Sequence, residues 1–190
     1  MNVSDYIQQI RSHLVQTHTD VAAWFEEDDD IRAYRPKDQG WTINEILEHI
    51  ALTSHFLLIL IGKGVKKALR NSQNSDLGLA MDQFENRLDQ MAEIGRHKAF
   101  SWIRPDHMEP KGEKSQAEVK EELTGQLERY LNYLDQLKNG EGLLYKMTMS
   151  VNDLGKINVY EYIYFLSLHA ERHIRQMEEN KREFLGVNTP

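Results

Sequence analysis

Two histidines four residues apart, His169 and His173, lie on a strongly apolar segment near the end of the chain. At a helical step of ~100° per residue, side chains at this spacing leave the same side of a helix, about one turn apart. The same stripe of the predicted helix also carries Tyr162, Phe165, Leu166 and Gln176. Both imidazoles therefore occupy positions where a packed helix would direct a leucine into the core, and they require a partner there.

Helical patterns cover most of the remaining chain. Apolar residues recur at helical spacing over residues ~4–27, ~43–69, ~115–139 and ~158–183. Capping boxes, in which a polar residue precedes a glutamate by three positions, mark helix starts at Thr42, Ser115 and Asn158. Since no strand pattern of comparable length competes, we predict an all-α protein built as a four-helix bundle.

The connection between the second and third long helices is too long for a tight hairpin. A weaker helical pattern over residues 77–95 predicts one short accessory helix, and an extended segment follows from Phe100 to Pro110. This connection suggests a crossover, and residues 71–112 could shape a pocket. Residues 141–155 are expected to form a loop whose apolar side chains pack over the end of the bundle.

The composition argues against several classes of protein. Lys and Arg number 23 against 30 Asp and Glu, which disfavours a nucleic-acid binder or a protein of anionic membrane surfaces. The absence of cysteine excludes disulfides, thiolate metal ligands and a thiol nucleophile of the chain's own. The first residues do not resemble a signal peptide, and the longest apolar run, Phe56–Ile61, is too short to cross a bilayer. We therefore expect a single cytoplasmic domain over residues 1–190.

A third histidine, His49, lies on the second long helix, beside its main apolar stripe and directed at packed neighbours. Together with His169 and His173 it would form a three-nitrogen face on two helices. Three protein ligands leave a position open on a cation, which is typical of catalytic sites. Imidazole suits Zn, Ni, Cu and Fe, so the ligand type alone does not choose the metal. The alternative is that these histidines are satisfied by hydrogen bonds in the core or a groove.

Other polar residues are secondary candidates. Gln176, one turn beyond His173, could orient a ligand or a water, or it could be an ordinary polar residue at the rim of the bundle. Glu45 precedes His49 by one turn and could accept a proton from it, although its place in a capping box already explains it. His97 and His107 lie in or beside the long connection, from which a fourth ligand is conceivable.

Four segments carry a resemblance to a known family. They read GWTINEILEH (Gly40–His49), RPDHMEPKG (Arg104–Gly112), DLGKI (Asp153–Ile157) and LHAERHIRQ (Leu168–Gln176). The chain resembles the DinB-like (YfiT-like) family of metal-dependent four-helix-bundle proteins over roughly residues 3–181. The resemblance is most specific in the Trp-x7-His and His-x3-His-x2-Gln patterns. By this resemblance His49, His169 and His173 match the family's three metal-binding histidines.

The resemblance also implies a Zn or Ni ion, frequent homodimers and an up-down-down-up order of helices. Some branches of the family are thiol-dependent S-transferases that use bacillithiol or mycothiol, others are called hydrolases, and many have no assigned activity. The expected function is therefore a metal-dependent transferase or hydrolase acting on a small molecule, with any thiol supplied by a cosubstrate. The alternative is a dimeric, non-catalytic module in which the metal joins helices or the site holds a small ligand.

Overall fold

Four long helices organise the structure, with two short ones between them. The computed structural model describes residues 1–100 and 105–187. In chain order its helices are α1 (Val3–Ala23), α2 (Asp29–Ala33), α3 (Ile43–Ser72), α4 (Leu77–Asp82), α5 (Gln116–Gln136) and α6 (Val159–Phe184). Little strand accompanies them, so the prediction of a mainly helical fold is confirmed.

Three of the long helices begin at the capping boxes that the sequence predicts. Thr42, Ser115 and Asn158 each accept a bond from the backbone three residues on, and the glutamate there bonds back to the cap. Each box satisfies two helix-end N–H groups that have no partner within the helix. The boxes at Thr42 and Asn158 locate the two helices that carry the candidate histidines.

The long helices share one arrangement of contacts around two apolar clusters. Helix α6 packs against α1 and α3, and α5 packs against the same two helices. One cluster includes Tyr6, Tyr160 and Leu168, and the other includes Ile46 and Ala170. His169 stands between Leu168 and Ala170 in sequence, so the candidate site lies where the two clusters meet.

The connection between α3 and α5 differs from the single accessory helix predicted over residues 77–95. Helix α4 ends at Asp82, and a 3-10 segment runs over Leu88–Gly95. Between them the side-chain oxygen of Asn86 accepts the Leu88 N–H at 3.0 Å, which replaces a helical backbone bond. Of the extended segment predicted from Phe100 to Pro110, residues 101–104 lie outside the described residues, and Asp106–Met108 form a short 3-10 segment.

A small β-hairpin occupies part of the segment that was predicted to be a loop. Strands β1 (Lys146–Met149) and β2 (Gly155–Asn158) pair antiparallel, and Asn152 in their turn adopts a positive φ of 47°. Strands of four residues are too short for a clear alternating pattern, so the prediction of a loop over residues 141–155 missed this hairpin. The expected packing is confirmed, because Met149 and Ile157 are buried in the core.

Helix α3 is the most apolar of the four long helices. Length and composition alone would allow it to cross a membrane, which the short run Phe56–Ile61 did not indicate. Of its most apolar 18-residue window, however, 56% is buried inside the protein. Burial of this kind is typical of the core helix of a soluble protein, and it places His49 among packed neighbours.

Candidate metal centre

Three histidines from two helices converge in the interior. His49 on α3 and His169 and His173 on α6 each offer a ring nitrogen, and the three nitrogens lie within 4.8 Å of one another. The residues are only 4%, 4% and 8% exposed. The structure thus brings together the side chains that sequence analysis singled out, in an arrangement that can hold a metal ion.

The rings are close enough to face one common point. The Nε2 atoms of His169 and His173 are 3.2 Å apart, as expected for neighbours one turn apart on a helix. The centroid of the His49 ring lies 4.8 Å from that of His173 and 5.2 Å from that of His169. One cation could therefore reach all three side chains without a change of backbone.

Two of the imidazoles are oriented by hydrogen bonds at their other nitrogen. The Nδ1 of His49 lies 2.7 Å from the carbonyl oxygen of Met108, and that of His173 lies 2.9 Å from Oε1 of Gln176. An acceptor at Nδ1 keeps the proton there, which leaves Nε2 with a lone pair for a metal. Gln176 thus contacts a candidate ligand directly, as one of its predicted roles requires.

The electrostatics of the site favour neutral imidazoles. Burial lowers the pKa of His169 and His173 well below the ordinary 6.5, and neighbouring histidines lower both further. Two neutral nitrogens 3.2 Å apart repel each other unless a proton or a cation lies between their lone pairs. A divalent ion would relieve this repulsion and use all three nitrogens, so the residues present fit the metal that the resemblance implies.

The histidines open onto a cavity of about 320 Å³. Its other walls come from several elements: Trp41, Thr53, Leu57, His97, Pro105, Met108, Thr148, Met149, Ser150, Val151, Tyr162, Phe165, Arg172 and Gln176. Part of the long connection therefore does line a pocket. The contribution of the hairpin was missed, because only tertiary packing brings its turn over the histidines.

The two histidines of the long connection are not in the three-histidine cluster. His97 lines the same cavity, and its Nδ1 lies 3.3 Å from Oε1 of Glu179. Burial lowers the pKa of His97, and the nearby Glu179 acts against this shift. His107 packs instead on Phe56, with ring centroids 4.5 Å apart. His97 thus belongs to the cavity wall and His107 to the outside of α3.

Glu45 serves the helix start rather than the imidazole of His49. Its carboxylate accepts the Thr42 N–H at 2.8 Å and a bond from Arg35 at 2.6 Å. The Nδ1 of His49 has Met108 as its partner instead. The capping role is therefore confirmed, and the alternative role beside the metal site finds no support in these bonds.

A supporting residue that sequence analysis missed is Glu48. It is buried, and its carboxylate accepts the backbone N–H groups of Lys111 at 3.2 Å and Gly112 at 2.8 Å. These bonds hold the connection against α3 close to Met108, whose carbonyl orients His49. The sequence did contain a signal for this role, because Glu48 is a charged residue in an apolar helix and directly precedes the candidate ligand His49.

Comparison with known proteins gives one family. A family model described as the DinB superfamily matches residues 13–177, a range that contains all three histidines. Curated proteins and solved structures give no match. The match covers most of the chain, and the helical fold and the histidine cluster agree with the resemblance seen in the sequence. The chain belongs to the DinB superfamily.

Proposed function

We propose that this protein is a metal-dependent enzyme that acts on a small molecule, with Zn or Ni held by His49, His169 and His173. The observation that carries the proposal is the opening of a three-nitrogen cluster onto a cavity of about 320 Å³. Structural zinc sites are usually closed by four protein ligands, whereas catalytic sites keep a position open for substrate. The cavity provides room for a substrate at that position.

Thiol transfer is the reaction that the cavity favours. A bound divalent ion would lower the pKa of a thiol or a water molecule that enters its open position. None of the described residues that line the cavity is Asp or Glu, so an attacking water would lack a carboxylate base there. A thiol is acidic enough, with a pKa of about 8.5 for cysteine, to need no such base.

The reaction would be a substitution at an electrophilic carbon. The thiol of a low-molecular-weight cosubstrate loses its proton to solvent, its sulfur bonds to the carbon, and the leaving group departs with the bonding electrons. The chain contains no cysteine, so the sulfur must come from the cosubstrate. Leu57, Tyr162 and Phe165 give the cavity an apolar wall for the carbon skeleton of the electrophile.

Hydrolysis is a second candidate because of one observation. His97 lines the cavity and lies beside Glu179, an arrangement in which a carboxylate can orient a histidine as a general base. A His97→Ala variant separates the two reactions. Loss of ester or amide hydrolysis with thiol transfer intact would favour a base role for His97, and unchanged hydrolysis would exclude that role.

Metal analysis of the purified protein tests the site itself. We expect about one ion per chain in the wild type, and loss of that ion in His49→Ala, His169→Ala and His173→Ala. His55→Ala is the matched control, because His55 is an exposed histidine on α3. A wild type that binds no stoichiometric Zn or Ni, and whose melting temperature does not rise when either is added, would show that the proposed site is wrong.

Turnover then separates an enzyme from a non-catalytic module. The metal-loaded protein is expected to accelerate the reaction of small thiols with an aryl halide or an epoxide, and the metal-free protein is not. If metal raises the melting temperature yet no thiol or hydrolysis substrate is turned over, the metal has the structural role of joining α3 to α6. That outcome would favour the non-catalytic alternative.

The proposed helix order is up-down-down-up within a four-helix bundle. In support of it, Tyr6 and Tyr160 near the starts of α1 and α6 are neighbours, with ring centroids 6.0 Å apart. Gln126 and Tyr130 of α5 donate in sequence order to carbonyls of α3, so these two helices run parallel. His49 near the start of α3 meets His173 late in α6, which makes that pair antiparallel.

We further propose that the protein is a homodimer. We also propose that it is cytoplasmic and has no nucleic-acid or membrane partner. Ile59 and Leu60 on α3 are 45% and 42% exposed and offer an apolar contact for a second copy. Sedimentation of Ile59→Glu tests this contact, with Val15→Glu on exposed α1 surface as control. We expect only Ile59→Glu to produce monomers; a wild type that sediments as a monomer at micromolar concentration would contradict the dimer.

A further inference from the structure

Tyr162 brings a hydroxyl group without a partner to the wall of the cavity. The residue is only 4% exposed, and it lines the same space as the three histidines. No described residue forms a hydrogen bond with its hydroxyl, and burial alone raises the pKa of Tyr162. The hydroxyl therefore keeps its proton and can donate it in a hydrogen bond to a molecule in the cavity.

Two other buried tyrosines show how the Tyr162 hydroxyl differs. The hydroxyl of Tyr130 donates to the carbonyl oxygen of Ser54 at 3.3 Å, so it serves the fold. The Tyr6 hydroxyl has no hydrogen-bond partner among the described residues, but it is sealed from solvent. Tyr162 has no such sealed atom, so of these three hydroxyls it is the one that a molecule in the cavity can reach.

Tyr162 lies on the same face of α6 as the candidate ligands. It precedes His169 by seven residues, which is two helical turns and about 10.5 Å along the axis. Its ring centroid is 6.5 Å from that of Phe165, which also lines the cavity. A small molecule can therefore have one end at the histidines and the other end at Tyr162.

The surroundings of Tyr162 in the cavity are apolar. Leu57, Met149 and Val151 line the cavity and belong to or pack against the same core cluster that contains Tyr162. Such an environment does not solvate a charged group, whereas it tolerates an uncharged polar group that has a hydrogen-bond partner. The hydroxyl thus fits an uncharged acceptor better than a carboxylate or a phosphate.

We infer that Tyr162 determines specificity by donating a hydrogen bond to an uncharged oxygen of the substrate. The natural substrate is then a small, mainly apolar molecule with a carbonyl or ether oxygen at the end remote from the metal position. Apolar walls supply the burial in such sites, and a few polar groups fix the orientation of the ligand. This inference rests on the proposed function and specifies its class of substrate.

Two thiol probes that differ at one group test the inference. 4-Acetylbenzyl mercaptan and 4-isopropylbenzyl mercaptan have nearly the same shape, and each offers a thiol to the metal position, but only the first has a carbonyl oxygen. Titration calorimetry on the metal-loaded protein measures both affinities without requiring turnover. Tyr162→Phe should lower the ratio of ketone affinity to hydrocarbon affinity by about fivefold relative to the wild type, as loss of one uncharged hydrogen bond would produce.

Tyr130→Phe is the matched control, because it removes the hydroxyl of a buried tyrosine that is not on the cavity wall. It should keep the wild-type affinity ratio but lower the unfolding free energy, since a hydrogen bond within the protein is lost. Tyr162→Phe should not lower the unfolding free energy of the ligand-free protein. A ratio that changes less than about twofold in Tyr162→Phe, or that falls equally in Tyr130→Phe, would overturn the inference.

Infrared spectra of the bound ketone test the contact directly. Its carbonyl stretch should lie at a lower frequency in the wild type than in Tyr162→Phe, because a donated hydrogen bond weakens the C=O bond. Equal frequencies would show that Tyr162 does not contact the carbonyl. If Tyr162→Phe does not fold, or loses as much unfolding free energy as Tyr130→Phe, the hydroxyl serves the fold and the inference is wrong.

Metal content, measured in the same samples, separates this inference from the proposed function. Protein that holds no metal refutes the proposed function and this inference with it. Metal-loaded protein that binds neither probe, or that binds both with a ratio unchanged by Tyr162→Phe, refutes this inference and leaves the metal site intact.

Discussion

Replacing Gln176 by leucine should weaken metal binding much more than it weakens the fold. In the structure Oε1 of Gln176 lies 2.9 Å from Nδ1 of the buried His173. Without metal, a neutral His173 that loses this acceptor can move its proton to the other nitrogen. With metal on Nε2 the proton must stay on Nδ1, where it would then lack its partner.

The magnitude follows from this difference between the two states. Loss of such an outer hydrogen bond typically lowers metal affinity by about 10–100-fold, which corresponds to about 1.4–2.8 kcal/mol. Competition against a chromophoric Zn chelator measures the change for Gln176→Leu. Gln176→Glu is the control, because a carboxylate at this position keeps an acceptor for Nδ1 and should bind Zn at least as tightly as the wild type.

These Zn affinities show whether Gln176 orients His173 or is only a polar residue at the rim of the cavity. If Gln176→Leu binds Zn within about twofold of the wild type, then Gln176 does not support His173 as a ligand. An equal loss of affinity in Gln176→Leu and Gln176→Glu would point to disturbed packing rather than to a lost acceptor. Either result would refute an orienting role for Gln176.

Two further predictions concern stability. An added Cβ at Gly142 would lie 2.6 Å from the buried Tyr160 ring, so Gly142→Ala should lower the urea unfolding free energy by about 1–3 kcal/mol. A Cβ added at Gly125 in α5 has no atom within 4 Å, so Gly125→Ala should leave the unfolding free energy unchanged or raise it. If the two substitutions change the unfolding free energy equally, the predicted clash with Tyr160 is wrong. Partial burial raises the pKa of the Glu45 carboxyl, but bonds from Arg35 and the helix cap outweigh this, so it lies below 4.5. The ionised Glu45 should therefore stabilise the folded state above pH 4.5, and this contribution should be lost as the pH falls through the pKa of Glu45 in the folded protein. Glu45→Gln should reduce the dependence of the unfolding free energy on pH in this acid range. An unchanged dependence in the variant would contradict a stabilising role for the Glu45 carboxylate.

The parts of the fold predicted correctly are those with a local signal. Capping boxes at Thr42, Ser115 and Asn158 mark helix starts because their bonds join residues three positions apart. The accessory helix was predicted as one piece because the bond that the Leu88 N–H donates to the side-chain oxygen of Asn86 leaves no break in the apolar spacing. The hairpin was missed because its strands depend on pairing with each other more than on their own pattern.

The candidate site likewise has features that the sequence predicted and features that it did not. Helical spacing in the sequence determined that His169 and His173 share one face, and the apolar surroundings of His49 indicated a position among packed neighbours. Only the tertiary structure decided what surrounds them: the Met108 carbonyl at His49, the hairpin over the cavity and the charge of Arg172 beside it. The physical reason is the distance along the chain between the residues that interact. Spacing along one helix follows from its geometry, whereas contacts between distant segments depend on how the whole chain packs.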